Sequence, residues 1–277
     1  MRRFQLLLVV ALTIATAHAG VAVDLSYTFE PQSQSPTRAE AKIDSVQMGF
    51  GVPLAVTGQA GVDMVLEVVS VDAEGSGTLR ATFGEMSASL LGEEQKPQQI
   101  DPVVMHVDRR GRLLEIASDE APEMDLFASG GVPLQLVVLV AGVVEFPKHP
   151  VEVGEEWTLD RCQQLPDIGE VTMRITSRVE SISDDEIVVL SDITASFPDF
   201  TTRNPLQDNE ITLRNGVLTI SGMRRTIDAD ANLLKSATAA MLFDCRAAMG
   251  GLAELPLTVS SSFVITPRLL DTAQAAR

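Results

Sequence analysis

Nucleophilic catalysis requires a base beside the nucleophile, and this chain is poor in bases. It has three histidines, His18, His106 and His149. His106 lies in the alternating run PVVMHVD, two residues before Asp108, and His149 sits between Pro147 and Pro150. Ser76 belongs to GSG, a turn sequence rather than a G-x-S-x-G elbow. Metalloprotease H-E-x-x-H, C-x-x-C and phosphate-loop patterns are absent from the sequence. Paired carboxylates could serve as acid and base, but Glu93-Glu94 and Asp184-Asp185 fall in turn-like polar segments where water would solvate both. Asp228, Asp230 and Asn232 have the first, third and fifth spacing of a calcium loop. That loop also needs glycine sixth and a bidentate glutamate twelfth, and here those positions are Leu233 and Ala239. The residues therefore assign no catalytic side chain, no cofactor and no metal.

The N-terminus carries an address. Arg2 and Arg3 precede the apolar run Leu6 to Ala15, and Ala17 and Ala19 supply the small residues of a cleavage site. Residues 1–19 are expected to be a signal peptide, which leaves a protein starting near Gly20 in the periplasm or outside the cell. The only cysteines are Cys162 and Cys245, so no lipid-bearing cysteine follows the leader. Taking Arg2 and Arg3 from the 21 basic residues leaves 19 against 38 acidic ones, a net charge of −19. Such a field excludes nucleic acid and anionic headgroups as partners. The apolar stretch Val132 to Val144 is too short to span a bilayer and contains Gln135. An exported chain with two cysteines is usually oxidised, so Cys162 and Cys245 are expected to form a disulfide. The bridge would close the second half of the chain and contribute about 4–5 kcal/mol in the loop-entropy model.

Any chemistry would have to be positioned by strands. Val62 to Val71 and Thr78 to Leu90 flank the turn segment Asp72 to Gly77, which reads as a hairpin. Val171 to Ile182 and Ile187 to Phe197 flank Ser183 to Glu186 in the same way. VDRRGRLLEI (Val107 to Ile116) returns as IDADANLLKS (Ile227 to Ser236), each a tight turn between two strands. Upstream, LSYTFEP (Leu25 to Pro31) matches EEWTLDR (Glu155 to Arg161). The pattern predicts a mainly β fold of antiparallel sheets in two similar halves, residues 20–146 and 147–277. One or two short helices are expected between them, within Asp125 to Val144. Trp157, the only tryptophan, should be buried at the start of the second half.

The element V-x-x-G-x-x-W (Val151, Gly154, Trp157), the D-x-x-G-x-L hairpin (Asp108, Gly111, Leu113) and the leader together resemble an uncharacterised group of exported bacterial β-rich proteins. The second hairpin departs from that pattern, with Asn232 offered in a turn that has no glycine. The resemblance implies fold and export, and it brings no catalytic residues. More loosely the chain is similar to periplasmic lipoprotein carriers, whose open curved sheets hold acyl chains. Three function classes remain. The first is a binding module with a lipid or other hydrophobic molecule between two β half-sheets. The second is a structural or protein-interaction component of the bacterial envelope. The third is an enzyme with a scattered site, which the scarcity of histidine and aromatic residues disfavours.

Overall fold

The structure is a computed structural model, and it describes residues 22–48, 53–54, 57–97, 99–117, 143–165, 168–204, 209–228, 233–249 and 254–268. The expected leader and most of the segment expected to hold helices lie outside these residues. Among the described residues there is no helix. They form one antiparallel sheet of fifteen strands.

The first eight strands are β1 (Gln34–Met48), β2 (Pro53–Leu54), β3 (Gly58–Val71), β4 (Gly77–Phe83), β5 (Ser87–Leu90), β6 (Glu93–Glu94), β7 (Val103–Val107) and β8 (Leu113–Ala117). The remaining seven are β9 (Glu156–Leu165), β10 (Gly169–Ile182), β11 (Glu186–Phe197), β12 (Phe200–Asn204), β13 (Asn209–Asp228), β14 (Leu234–Met249) and β15 (Leu255–Pro267). Alternation explains them: in β4, Leu79, Ala81 and Phe83 are buried while Arg80 and Thr82 face water.

Along the main path the order is β8-β7-β4-β3-β1-β15-β14-β13-β11-β10-β9. Each half is thus a meander, and the expected hairpins fall in matching places. β3–β4 and β10–β11 are the long hairpins; β7–β8 and β13–β14 are the second ones. Two expectations are corrected. The halves are not separate half-sheets, because β1 pairs with β15 from Thr37–Pro267 to Met48–Leu257 and fuses them. The upstream match is not structural either. Leu25 to Pro31 lies outside the ladder, with Tyr27 N–H donating to the Arg109 carbonyl at 2.7 Å, whereas Glu156 to Arg161 is in β9.

The sheet curls. Eleven strands laid flat would hold β8 and β9 roughly 50 Å apart. Instead Leu79 and Met105 from one end share a buried cluster with Trp157, Val179, Val189 and Ile227 from the other. A second cluster fills the β10–β15 region around Leu213, Leu218, Phe243 and Leu257.

The two cysteines expected to pair stand apart in this structure. Cys162 and Cys245 are free thiols, the first exposed on β9 and the second buried on β14. β13, β11 and β10 lie between their strands. A bridge needs Cα atoms within about 7 Å, which three intervening strands forbid. Burial pushes the Cys245 thiol up to about 12, and the hydrogen bond to Glu170 raises that of Cys162. Titration with a thiol reagent, without reductant, is expected to give one equivalent from native protein and a second only in denaturant. No equivalents in denaturant would contradict the free-thiol state.

Candidate functional site

The edges β8 and β9 are not paired to each other in the ladder. Between them, on the inner face, lies a cavity of about 70 Å³. Its apolar lining comes from both ends of the sheet: Met105 and Val107 of β7, Leu113 of β8, and Met173 and Ile175 of β10. Arg225 of β13 forms part of the floor.

A short extended segment, residues 143–146, crosses this seam. Its alternation places Val144 and Phe146 in the core, at 1 % and 4 % exposure. On the β7–β8 side it is held by backbone. Phe146 N–H donates to the Arg110 carbonyl at 2.7 Å. The Val144 carbonyl lies directly over Gly111, whose φ is +82°. The turn beneath is set by Asp108, whose carboxylate accepts N–H bonds from Arg110 and Arg112 at 2.8 and 2.9 Å. On the β9 side it is held by side chains. Glu145 takes a two-pronged ion pair from Arg161, with Nε at 2.7 Å, and its carbonyl accepts the Trp157 indole N–H at 3.0 Å. Trp157 is buried beside this segment, as its size and position lead one to expect.

Beneath the seam is a buried polar floor. Arg225 donates to the Val143 carbonyl at 3.2 Å and to Ser191 Oγ at 2.6 Å, and Ser191 is 2.7 Å from Ser177 Oγ. Tyr27 accepts the Val144 N–H at 2.9 Å through its hydroxyl oxygen, and its ring stacks on Phe29 with centroids 5.2 Å apart. Burial pulls Arg225 down to about 10 and pushes the Tyr27 phenol up to about 12. At neutral pH the floor therefore holds one cation and one neutral phenol.

Tyr27 is the only tyrosine, so its ionisation can be followed directly by ultraviolet absorbance. The folded chain is expected to titrate near 12, against about 10 in denaturant. Because the folded pKa is the higher one, the contribution to stability is intact below pH 10 and is lost as pH rises through 12. It amounts to roughly 2–3 kcal/mol. A folded-state midpoint at 10 would contradict the burial.

The sequence candidates lie elsewhere. His106 is half-buried on β7, with Nδ1 3.3 Å from Thr78 Oγ1 and Nε2 3.8 Å from Asp72 Oδ2. This grouping of Asp72, His106 and Thr78 has the residue types of a triad. However, Asp72 Oδ1 is engaged by the Glu74 and Ser76 N–H groups, and the three sit at a partly exposed hairpin end rather than in a cleft. His149 is exposed, 3.2 Å from Glu155. Glu93, Glu94, Asp184 and Asp185 are exposed. Asp228 closes its hairpin through an N–H bond to the Leu233 carbonyl at 3.0 Å; Asp230 and Asn232 lie outside the described residues. Among the described residues no group of three or more His, Cys, Asp or Glu side chains is placed to hold a metal. No helix among the described residues is long and apolar enough to cross a membrane.

A larger open trough, about 690 Å³, lies on the outer face beside β5 and β6. Its basic side chains are paired: Arg38 with Glu40 and Asp63, and Lys42 with Asp44. It reads as solvated surface.

The seam site was not legible as a site in the sequence. Phe146 to Trp157 reads as a boundary segment, with Pro147, Pro150 and Gly154, and Val143 and Val144 close a stretch expected to hold a helix but are extended here. The alternation Val144, Phe146 was the available signal that this stretch enters the core.

No protein-family model matches the chain, and no curated protein matches it. Among the solved structures that resemble the chain are the following two. One carries the description "lipid-protein interactions in lipovitellin", with 15% identity and a TM-score of 0.46; the match covers 87% of this chain and 25% of that one, so the chain spans about a quarter of its length. The other is DynF from the dynemicin biosynthesis pathway of Micromonospora chersina, with 9% identity and a TM-score of 0.28, covering 92% of this chain and 89% of that one. Both scores are low, and the functional reading rests on the residues of this chain.

Proposed function

We propose that the protein binds an apolar small molecule, a lipid acyl chain foremost, on the inner face of its curled sheet. The observation that carries this reading is the seam. A cavity with an apolar lining lies where two sheet edges meet without ladder hydrogen bonds, so widening it breaks side-chain contacts and leaves the strand pairing intact. Ligand pockets commonly enclose roughly 300–1,000 Å³. A cavity of about 70 Å³ is thus the closed state, and an acyl chain is taken up by parting β8 from β9. Export, proposed from residues 1–19, fits such a carrier. It would move a water-insoluble molecule through an aqueous compartment, with the acidic outer surface keeping it soluble.

Titration with a fluorescent fatty acid tests this. Saturable binding that unlabelled lipid displaces, and that Ile175→Trp weakens by at least about tenfold (a loss of ~1.4 kcal/mol), is the expected result. Ile175 lines the cavity and is only partly buried at the margin of the core, so the larger ring is directed into the cavity space. Equal binding by the variant would place the ligand elsewhere, and no binding by the parent chain would remove the reading. An envelope scaffold would show neither binding nor displacement.

A further inference from the structure

We propose that residues 143–146 are a strap, hinged on the β7–β8 turn and latched to β9 by the Glu145–Arg161 ion pair, whose release opens the seam. The two sides of the strap are held unequally. Toward β7–β8 it is fixed by main-chain contacts: the Phe146 N–H to Arg110, and the Val144 carbonyl seated over Gly111. Those two cannot let go without moving backbone, and the Tyr27 side chain adds a third bond by accepting the Val144 N–H. Toward the β9 side it is fixed by side chains alone: the Arg161 guanidinium and the Trp157 indole N–H on Glu145, and Arg225 of β13 on the Val143 carbonyl at 3.2 Å.

Both latch residues line the cavity, so a strap that swings away from β9 removes one of its walls. The pair is also poised between water and core. The Glu145 side chain is 15% exposed and that of Arg161 31%, so the released charges are hydrated at once instead of being stranded. A latch of this kind holds the seam shut and still opens without unfolding the sheet.

What the opening admits rests on the internal-ligand reading; that the strap opens does not, and the test needs no ligand. Trp157 is the sole tryptophan, and it is buried under the latch. Its quenching by acrylamide is therefore a direct measure of strap position. E145Q and R161M are each expected to raise quenching several-fold while β circular dichroism stays unchanged. The reversed pair E145R/R161E is expected to restore shielding, which loss of packing alone would not do. In the parent chain, molar salt should raise quenching, since screening weakens the pair. Trp157 still shielded in both single variants would overturn the latch, as would a folded reversed pair that stays quenched. If the single variants lose their β signal, the salt response of the parent chain decides: a rise supports the latch and no rise overturns it. A strap that opens in a chain that takes up no fatty-acid probe would keep the latch and remove the ligand reading.

Discussion

Replacing Gly111 by alanine lowers the stability of the fold by about 2–5 kcal/mol, read as a fall in the denaturant midpoint at constant slope. Two effects add. The residue has φ +82°, where an L side chain is strained. A Cβ there would also meet the Val144 carbonyl oxygen inside contact distance and lie 2.8 Å from Tyr27 Cε2. The strap cannot rise without losing its bond to Arg110, and the Tyr27 ring cannot retreat without breaking its stack on Phe29. Gly92→Ala separates the two effects. It has the same backbone sign, φ +83°, with nothing within 4 Å of the added carbon, and so carries only the backbone cost of about 1–2 kcal/mol. Equal losses at the two sites would mean that the strap is not seated on Gly111. Gly111→Ala is also expected to weaken binding of an apolar probe, because it displaces the wall of the cavity.

Phe243→Ala is expected to cost about 3–5 kcal/mol, as large aromatic truncations in a close-packed core do. Phe243 is 5 % exposed. Its ring meets Phe197 edge-on at 5.7 Å, and Gly216 packs against it. Phe243 lies on β14 and does not line the seam cavity, although its cluster reaches Met173 there, so probe binding measured well below the melting point should be unchanged. The two variants form a dissociation: both destabilise, and one impairs binding. If Phe243→Ala abolishes binding while the protein remains folded, the ligand lies against Phe243 and not in the seam cavity.

Local pattern predicted the strands and missed what joins them. Asp72 to Gly77 and Ser183 to Glu186 were legible as turns because their residues satisfy backbone groups within the turn, as the Asp72 carboxylate does for Glu74 and Ser76. Thr78 to Leu90 looked like one strand. It is β4 and β5, interrupted at residues 84–86, yet both pieces pair along β3, so the alternation was real and only the kink was hidden. Nothing local announces that Thr37 will lie beside Pro267, since alternation states which face is buried and not which strand comes next. That pairing turns two apparent halves into one sheet and brings β8 and β9 together. The distance between Cys162 and Cys245 was hidden for the same reason, since it is set by the three strands that lie between theirs. Curvature runs across all eleven strands of the path and not within one half. The site fared worst. Glu145, Arg161, Arg225 and Tyr27 come from four separate stretches of sequence, and a buried arginine is indistinguishable in sequence from a surface one.

The most direct measurement is organic extraction of the purified, natively folded protein followed by mass spectrometry, with the same extraction of the Ile175→Trp variant. An interior ligand predicts that lipid co-purifies with the parent chain at close to one molecule per chain and is depleted in the variant. A parent chain free of any apolar small molecule, which also takes up none when incubated with lipid and re-isolated, would contradict it.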